Sequence, residues 1–223
     1  MIGIFGGTFN PIHIAHIKLA VEIQRCLNLD RVRMIPCGLP AHRECPEVSA
    51  EMRFQLLQGA IQGYPGLLAD DRELRRAGPS YMIDTLESLR AEFSDTMVLI
   101  LGIDAYNHLD SWKNWHSLIS LAHIVVMRRP GDDHKPHFSK VLSKFTKMHL
   151  TENDADLLDQ RSGKLLFLHN TEHDVSSTRI REKLAAGQRV EELLAKSVSD
   201  TINKQALYKN KEYRNLRHTI QQQ

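Results

Sequence analysis

The sequence predicts an α/β fold: a Rossmann-like, doubly wound, mostly parallel sheet with helices on both faces and a small C-terminal helical region. Three observations lead there. Short apolar runs at 2–5, 32–35, 97–101, 124–127 and 165–168 recur between helical patterns, as strands covered on both faces do. Their alternation with helices implies right-handed βαβ crossovers. The polar motifs fall just after the apolar runs, where open sheets of this kind hold ligands.

Taken in order, the run at 2–5 hands over to Gly6-Gly7-Thr8-Phe9-Asn10-Pro11-Ile12-His13-Ile14-Ala15-His16. Two glycines are expected to take positive φ and admit a bulky ligand, and Pro11 presets a helix start. Helical patterns follow at about 14–27, 50–62, 80–93, 113–121 and 178–186, with Gly187 placed to end the last. The segment 130–153 is polar, weakly periodic and expected to be an excursion over the sheet edge. The part at about 178–208 is helical, and the tail 209–223 is basic and reads as a frayed helix in solvent. The whole of 1–223 is expected to form one domain.

Composition narrows the function. With 42% hydrophobic and 25% charged residues and a formal net charge of +2, the chain has no field that recruits nucleic acid or a membrane surface. No apolar run approaches the roughly 18–20 residues that span a bilayer. Cys26, Cys37 and Cys45 form no Cys-x-x-Cys pair, and Met1 leads directly into a strand pattern, so a reducing cytoplasm is expected. Self-association is left open.

The motifs point to an anionic ligand. His13 and His16 lie three apart, on one helical face, where both can hydrogen-bond the same anion beside free helix N–H groups. A zinc pair would use i and i+4 with a third ligand, so a metal reading is disfavoured. Further on, Val175-Ser176-Ser177-Thr178-Arg179-Ile180-Arg181 opens the last predicted helix. Ser and Thr there are ordinary caps. Arg179, however, opposes the helix dipole unless an anion sits between it and the backbone amides. Two such helix mouths suggest one nucleoside triphosphate.

Other motifs are less decisive. Pro40-Ala41-His42-Arg43, with Arg53 in the next helix, is either a solvated loop or a receiver for a second phosphate. The segment 78–85 opens another helix with Ser80 as a plausible cap, and is either a plain capped helix or a carboxylate or amide site. Gly102 and Asp104 close the central strand, where an acid can accept from ribose hydroxyls or help hold a metal. Trp112 and Trp115 divide into a stacking platform and a core residue, with Trp115 the one expected in the core.

Together these motifs resemble the bacterial nicotinate-nucleotide adenylyltransferases, within the nucleotidyltransferase superfamily. The matches are Gly6, Gly7, Thr8 and Phe9 through His13 and His16, then 40–43, Arg53, 78–85, 102–104, Trp112, 129–131, and 176–179 with Arg181. The resemblance implies transfer of AMP from ATP to nicotinic acid mononucleotide, with Mg²⁺, giving nicotinic acid adenine dinucleotide and pyrophosphate in NAD synthesis. It assigns His13, His16 and Arg179 to catalysis. Gly6, Gly7, Thr8, Phe9, Gly102, Asp104, Ser177 and Thr178 fall to ATP, and His42, Arg43, Tyr81, Thr85, Trp112 and Arg129 to the mononucleotide. The protein ligands of any metal are not specified.

The chain departs from that pattern at Asn10, where Asp is usual, Ala15, where Gly is usual, and Ala41 and Arg43, where Pro and Lys are usual. Asn10 keeps a short polar cap, and Arg43 keeps its charge but gains a bidentate fork. Thr201, where Tyr is frequent, alters the packing expected of the last helix. Rival readings are an adenylyltransferase acting on nicotinamide mononucleotide or phosphopantetheine, and a nucleotide-binding module without transfer activity.

Overall fold

A computed structural model describes residues 1–41, 44–128, 138–169 and 175–209. β1 (Ile2–Gly7) and α1 (Ile14–Cys26) are followed by β2 (Arg31–Pro36), α2 (Ala50–Ala60), β3 (Leu67–Ala69), the single turn α3 (Arg72–Arg75) and α4 (Met82–Glu92). Then come β4 (Met97–Gly102), α5 (Ile103–Asn107), α6 (Leu118–Leu121), β5 (His123–Arg128), α7 (Lys140–His149), β6 (Leu150–Thr151), β7 (Leu165–His169), α8 (Ser177–Ala185) and α9 (Lys196–Lys204).

The seven strands form one sheet in the order β3-β2-β1-β4-β5-β7-β6, and every pairing is parallel. The chain steps outward from β1 to β3, then returns to lay β4 on the other side of β1. The topological switch therefore lies between β1 and β4, and beyond their carboxyl ends is where open sheets of this kind form their ligand crevice.

Strand side chains alternate between two cores. Val98, Ile100, Val125 and Met127 pack with α1, α2, α8 and α9 through Ile17, Ile23, Leu56, Leu57, Ile180, Leu184, Val198 and Ile202. Met97, Leu99, Ile124 and Val126 pack on the other face with Ile83, Leu86, Tyr106, Leu118, Leu142 and Phe145. Burial on both faces is why these strands read as unbroken apolar runs. Among the described residues no helix is long and apolar enough to cross a membrane.

Several expectations are corrected. The helix expected at 113–121 is a 3-10 turn at Trp115–Ser117 followed by the short α6. The excursion expected at 130–153 contains a helix, α7, capped by Ser139, whose hydroxyl accepts from the Leu142 N–H at 3.1 Å. It also contains the edge strand β6. Residues 130–137 of that excursion and 210–223 of the tail lie outside the described residues.

Arg53 is neither of the two things its sequence left open, a solvated cation or a phosphate receiver. It is 1% exposed. Its Nε donates to the carbonyl of Val48 at 3.2 Å, one terminal nitrogen to Thr8 at 2.6 Å, and the other to Cys37 at 2.6 Å and Gly38 at 3.2 Å. The loops after β1 and β2 thus hang from one guanidinium on α2. Truncation would strand four carbonyls in a water-poor space. Arg53→Met is expected to cost roughly 3–5 kcal/mol in urea unfolding, and Arg53→Lys to recover less than half of it because an ammonium lacks the planar fork.

Candidate active site

The turn after β1 is shaped by packing more than by glycine dihedrals. Gly6 and Gly7 are the last residues of β1, and neither has positive φ; Phe9 does, at 47°. The glycines provide room instead. A Cβ on Gly6 would lie 2.5 Å from the methyl carbon of Met82, and one on Gly7 would lie 2.9 Å from the Phe9 ring.

Side chains from elsewhere pin the carbonyls of this turn. Thr8 O accepts from Arg53, Asn10 O from Arg181 at 2.7 Å, and Pro11 O from the Ser177 hydroxyl at 2.9 Å. A trans peptide carries its C=O and N–H on opposite sides. Pinning the Thr8 and Pro11 oxygens therefore aims the N–H groups of Phe9 and Ile12 away from the brace.

His13 is the N-cap residue of α1 and His16 its third helical residue. Their rings stack at 3.6 Å and 25°. The backbone N–H of His13 donates to His16 Nδ1 at 3.3 Å, which assigns the His16 proton to Nε2. The edge of Phe9 closes against His16 at 5.1 Å. Burial lowers the His13 pKa to about 4, and burial, with His13 beside it, holds His16 well below its ordinary value. Both are therefore neutral near pH 7. Nδ1 of His13 is buried and has no hydrogen-bond partner among the described residues, the state expected of a donor or acceptor awaiting a ligand.

α8 brings its mouth to the same place. Ser176 caps it, accepting from the Arg179 N–H at 3.3 Å, while Ser177 donates to Pro11 across 166 residues of sequence. Thr178 and Arg179 are exposed in the first turn. Thr178 accepts from Arg181 at 3.3 Å. The two helix mouths expected from sequence are thus joined directly. On the β4 side, Asp104 is exposed in the first turn of α5, and a Cβ on Gly102 would meet nothing within 4 Å, so the strand end faces open space.

The second half of the crevice lies between the loop after β2 and α4. Ser80 does not cap α4; Tyr81 is the N-cap residue, with no side-chain bond. The Ser80 hydroxyl instead accepts from the Gly38 N–H at 3.0 Å, and its N–H donates to Leu39 O at 2.8 Å. Lys113 lies 4.5 Å over the Tyr81 ring and 3.2 Å from Asp84, which sets the Trp112–Lys113 turn against the start of α4. Trp112 is half-buried, and Trp115 packs on Phe145 at 4.9 Å.

Thr85 departs from its expected pocket-lining role. It is fully buried, donates to the carboxylate of Glu73 at 2.7 Å and accepts from Arg76 at 3.1 Å. Its side chain braces α4 against α3 and presents no group to the crevice. His42, Arg43 and Arg129 lie outside the described residues.

Sequence reasoning gave no role to Glu73, which carries a buried carboxylate in a polar stretch, nor to Tyr208. The phenol of Tyr208 donates to Asn10 Oδ1 at 2.9 Å, so Asn10 is an anchor point and not a helix cap. The available signal was an aromatic ring isolated in an otherwise polar C-terminal segment.

A switch-point crevice with two joined helix mouths defines a nucleotide-binding α/β protein, and comparison with known proteins agrees. Residues 4–183 match the cytidylyltransferase-like family, to which the chain belongs. Over 93% of its length it is 39% identical to a protein of Pseudomonas entomophila named a probable nicotinate-nucleotide adenylyltransferase, covering 94% of that protein. It is also 39% identical to the protein of that name from Methylococcus capsulatus, covering 99% of it. Among solved structures, the Plasmodium falciparum nicotinic acid mononucleotide adenylyltransferase complexed with NaAD shares the fold. The TM-score is 0.70 at 18% identity, over 93% of this chain and 96% of that one. Within the cytidylyltransferase-like proteins, this chain belongs to the nicotinate-nucleotide adenylyltransferases.

The buried histidines tie stability to pH. With a folded value of about 4 and an ordinary value of 6.5, His13 stays neutral in the folded chain while the unfolded chain takes up a proton. Its contribution is complete above pH 6.5 and is lost as pH falls to about 4, roughly 3 kcal/mol in all. Nucleotide-free protein should therefore lose stability across that window in pH-dependent urea unfolding. His13→Gln should show a visibly shallower loss.

Proposed function

We propose that this chain transfers the AMP moiety of ATP to nicotinic acid mononucleotide, releasing pyrophosphate and forming nicotinic acid adenine dinucleotide, in the cytoplasm. The observation that carries this reading is the direct hydrogen bond from Ser177 to Pro11, which merges two anion-attracting helix mouths into one cradle. The thiols of Cys26, Cys37 and Cys45 suit a reducing compartment.

The chemistry asks little of the protein beyond geometry and charge. A phosphate oxygen of the mononucleotide, already anionic near pH 7, attacks the α-phosphorus of ATP. The new P–O bond forms as the bond from that phosphorus to the bridging oxygen of the β-phosphate breaks, and pyrophosphate leaves with the electron pair. No proton needs to be removed, so no side chain must act as nucleophile or strong base. Catalysis is alignment together with stabilisation of charge on the departing group.

In this reading the Nε2–H of His16, the guanidinium of Arg179, and the amides of the first turn with the hydroxyls of Ser177 and Thr178 hold the β- and γ-phosphates. Asp104 and Gly102 face the adenosine, while Tyr81 and Trp112 flank the pyridine ring. Arg43, His42 and Arg129 are assigned to the mononucleotide from sequence. Mg²⁺ enters with ATP as part of the substrate. Among the described residues no group of three or more His, Cys, Asp or Glu could cage a metal.

Two measurements test the reading. Pyrophosphate release from ATP and Mg²⁺ should be faster with nicotinic acid mononucleotide than with nicotinamide mononucleotide, and silence with both would overturn it. His16→Ala should lower kcat on the order of 10²-fold, the scale of losing one preorganised donor. An unchanged kcat with only a raised KM would remove His16 from the transition state.

A further inference from the structure

After α9 the chain turns back through Gln205 to Tyr208. Ala206 and Tyr208 both take left-handed backbone conformations, at φ 53° and 61°. A bulky ring disfavours that region, and what the turn achieves is delivery of the Tyr208 side chain, 3% exposed, to the far side of the turn after β1. There its hydroxyl donates to Asn10 Oδ1 at 2.9 Å. Asn10 is held a second time through its carbonyl, by Arg181 at 2.7 Å.

The geometry points to Tyr208 as a positioning residue for adenylyl transfer: by clasping Asn10 it fixes the turn whose amides and histidines receive the triphosphate. The inference rests on reading that turn as the triphosphate site. Three of the turn's carbonyls, on Thr8, Asn10 and Pro11, are already pinned. The Asn10 side chain carries the fourth anchor, and it sits next to Pro11 and three residues before His13.

The electrostatics suit the task. The charged groups that act on the phenol are Arg53, Arg181 and Glu47, and burial raises the phenol's pKa, so it remains a proton donor. Its acceptor is an amide oxygen, which offers lone pairs without setting a full negative charge beside a polyanion. Tyr208 also packs its ring in the core shared with α1, α2 and α9. Removing the hydroxyl alone separates the clasp from that packing.

The test uses the full chain with Tyr208→Phe, Asn10→Ala and the double variant. kcat and KM come from pyrophosphate release with nicotinic acid mononucleotide. Hydrogen exchange of residues 8–13 is followed against the strands β4 and β5. For Tyr208→Phe, kcat should fall about tenfold with KM for ATP within about twofold, because misalignment is felt mainly in the transition state. Exchange at 8–13 should accelerate about fivefold or more while the strands are unmoved. The double variant should be no worse than Asn10→Ala alone, since both remove the same bond.

Unchanged kcat and unchanged exchange, or losses that multiply in the double variant, would overturn the clasp. Should Tyr208→Phe fail to fold, Asn10→Ala breaks the same bond from the other side and is judged by the same two readouts. If the wild-type chain releases no pyrophosphate with any mononucleotide, the substrate reading fails, and exchange at 8–13 still decides the clasp.

Discussion

One buried guanidinium sets the distance between the two halves of the crevice. Arg53 sits 1% exposed, and among the described residues no carboxylate pairs with it at salt-bridge distance. Isolating a cation in this way is costly unless its donors are satisfied. Here the donors are met by carbonyls from the loop after β1, the loop after β2 and the residue before the cap of α2. Since the guanidinium is rigid and planar, the two loops cannot drift apart by more than hydrogen-bond tolerance. A reaction that aligns one substrate's oxygen with another's phosphorus depends on that fixed separation.

The same group places a buried positive charge behind the turn after β1, bonded to Thr8 O, where low polarisability makes it felt more strongly than at the surface. The histidines complement it in a different way. Buried and stacked, they are neutral near pH 7, which avoids two adjacent cations. A bound polyphosphate reverses the balance, because a nearby negative charge favours the protonated ring. In the proposed reaction, His13 and His16 would gain positive character as charge gathers on the leaving pyrophosphate. A lysine, charged from the outset, has no such reserve.

What the sequence made legible follows from how strongly each feature is buried. β1, β4, β5 and β7 read as unbroken apolar runs, and β2 as a run broken only by Arg33, which pairs with Asp70. β3 and β6, three and two residues long, sit at the sheet edges and carry no such pattern. α7 escaped notice because its outward face is rich in lysine, and only Leu142, Phe145 and Thr146 turn inward. Within the site, the meeting of the His13–His16 turn with the mouth of α8 was legible from residues adjacent in sequence, and the Ser177–Pro11 bond makes it. Those whose meaning depends on a distant partner were not. Arg53 looked like a surface cation, Thr85 like a pocket wall and Ser80 like a cap, because local sequence cannot say that their partners are carbonyls at 8 and 37, a carboxylate at 73 and an amide at 38.

This explains why the C-terminal segment is inseparable from the site. β7 lies three strands from β1, about 14 Å at the usual strand spacing, yet α8 hydrogen-bonds to the turn after β1. α9 then packs Val198 and Ile202 into the core it shares with α2, and Tyr208 ends beside Asn10. The contacts that close the cradle span 166, 171 and 198 residues of sequence. Loop-closure entropy makes such contacts the latest to be gained. The sheet can form from neighbouring βαβ units alone, but the turn after β1 has its Asn10 and Pro11 groups pinned only once residues 177–208 have docked against it.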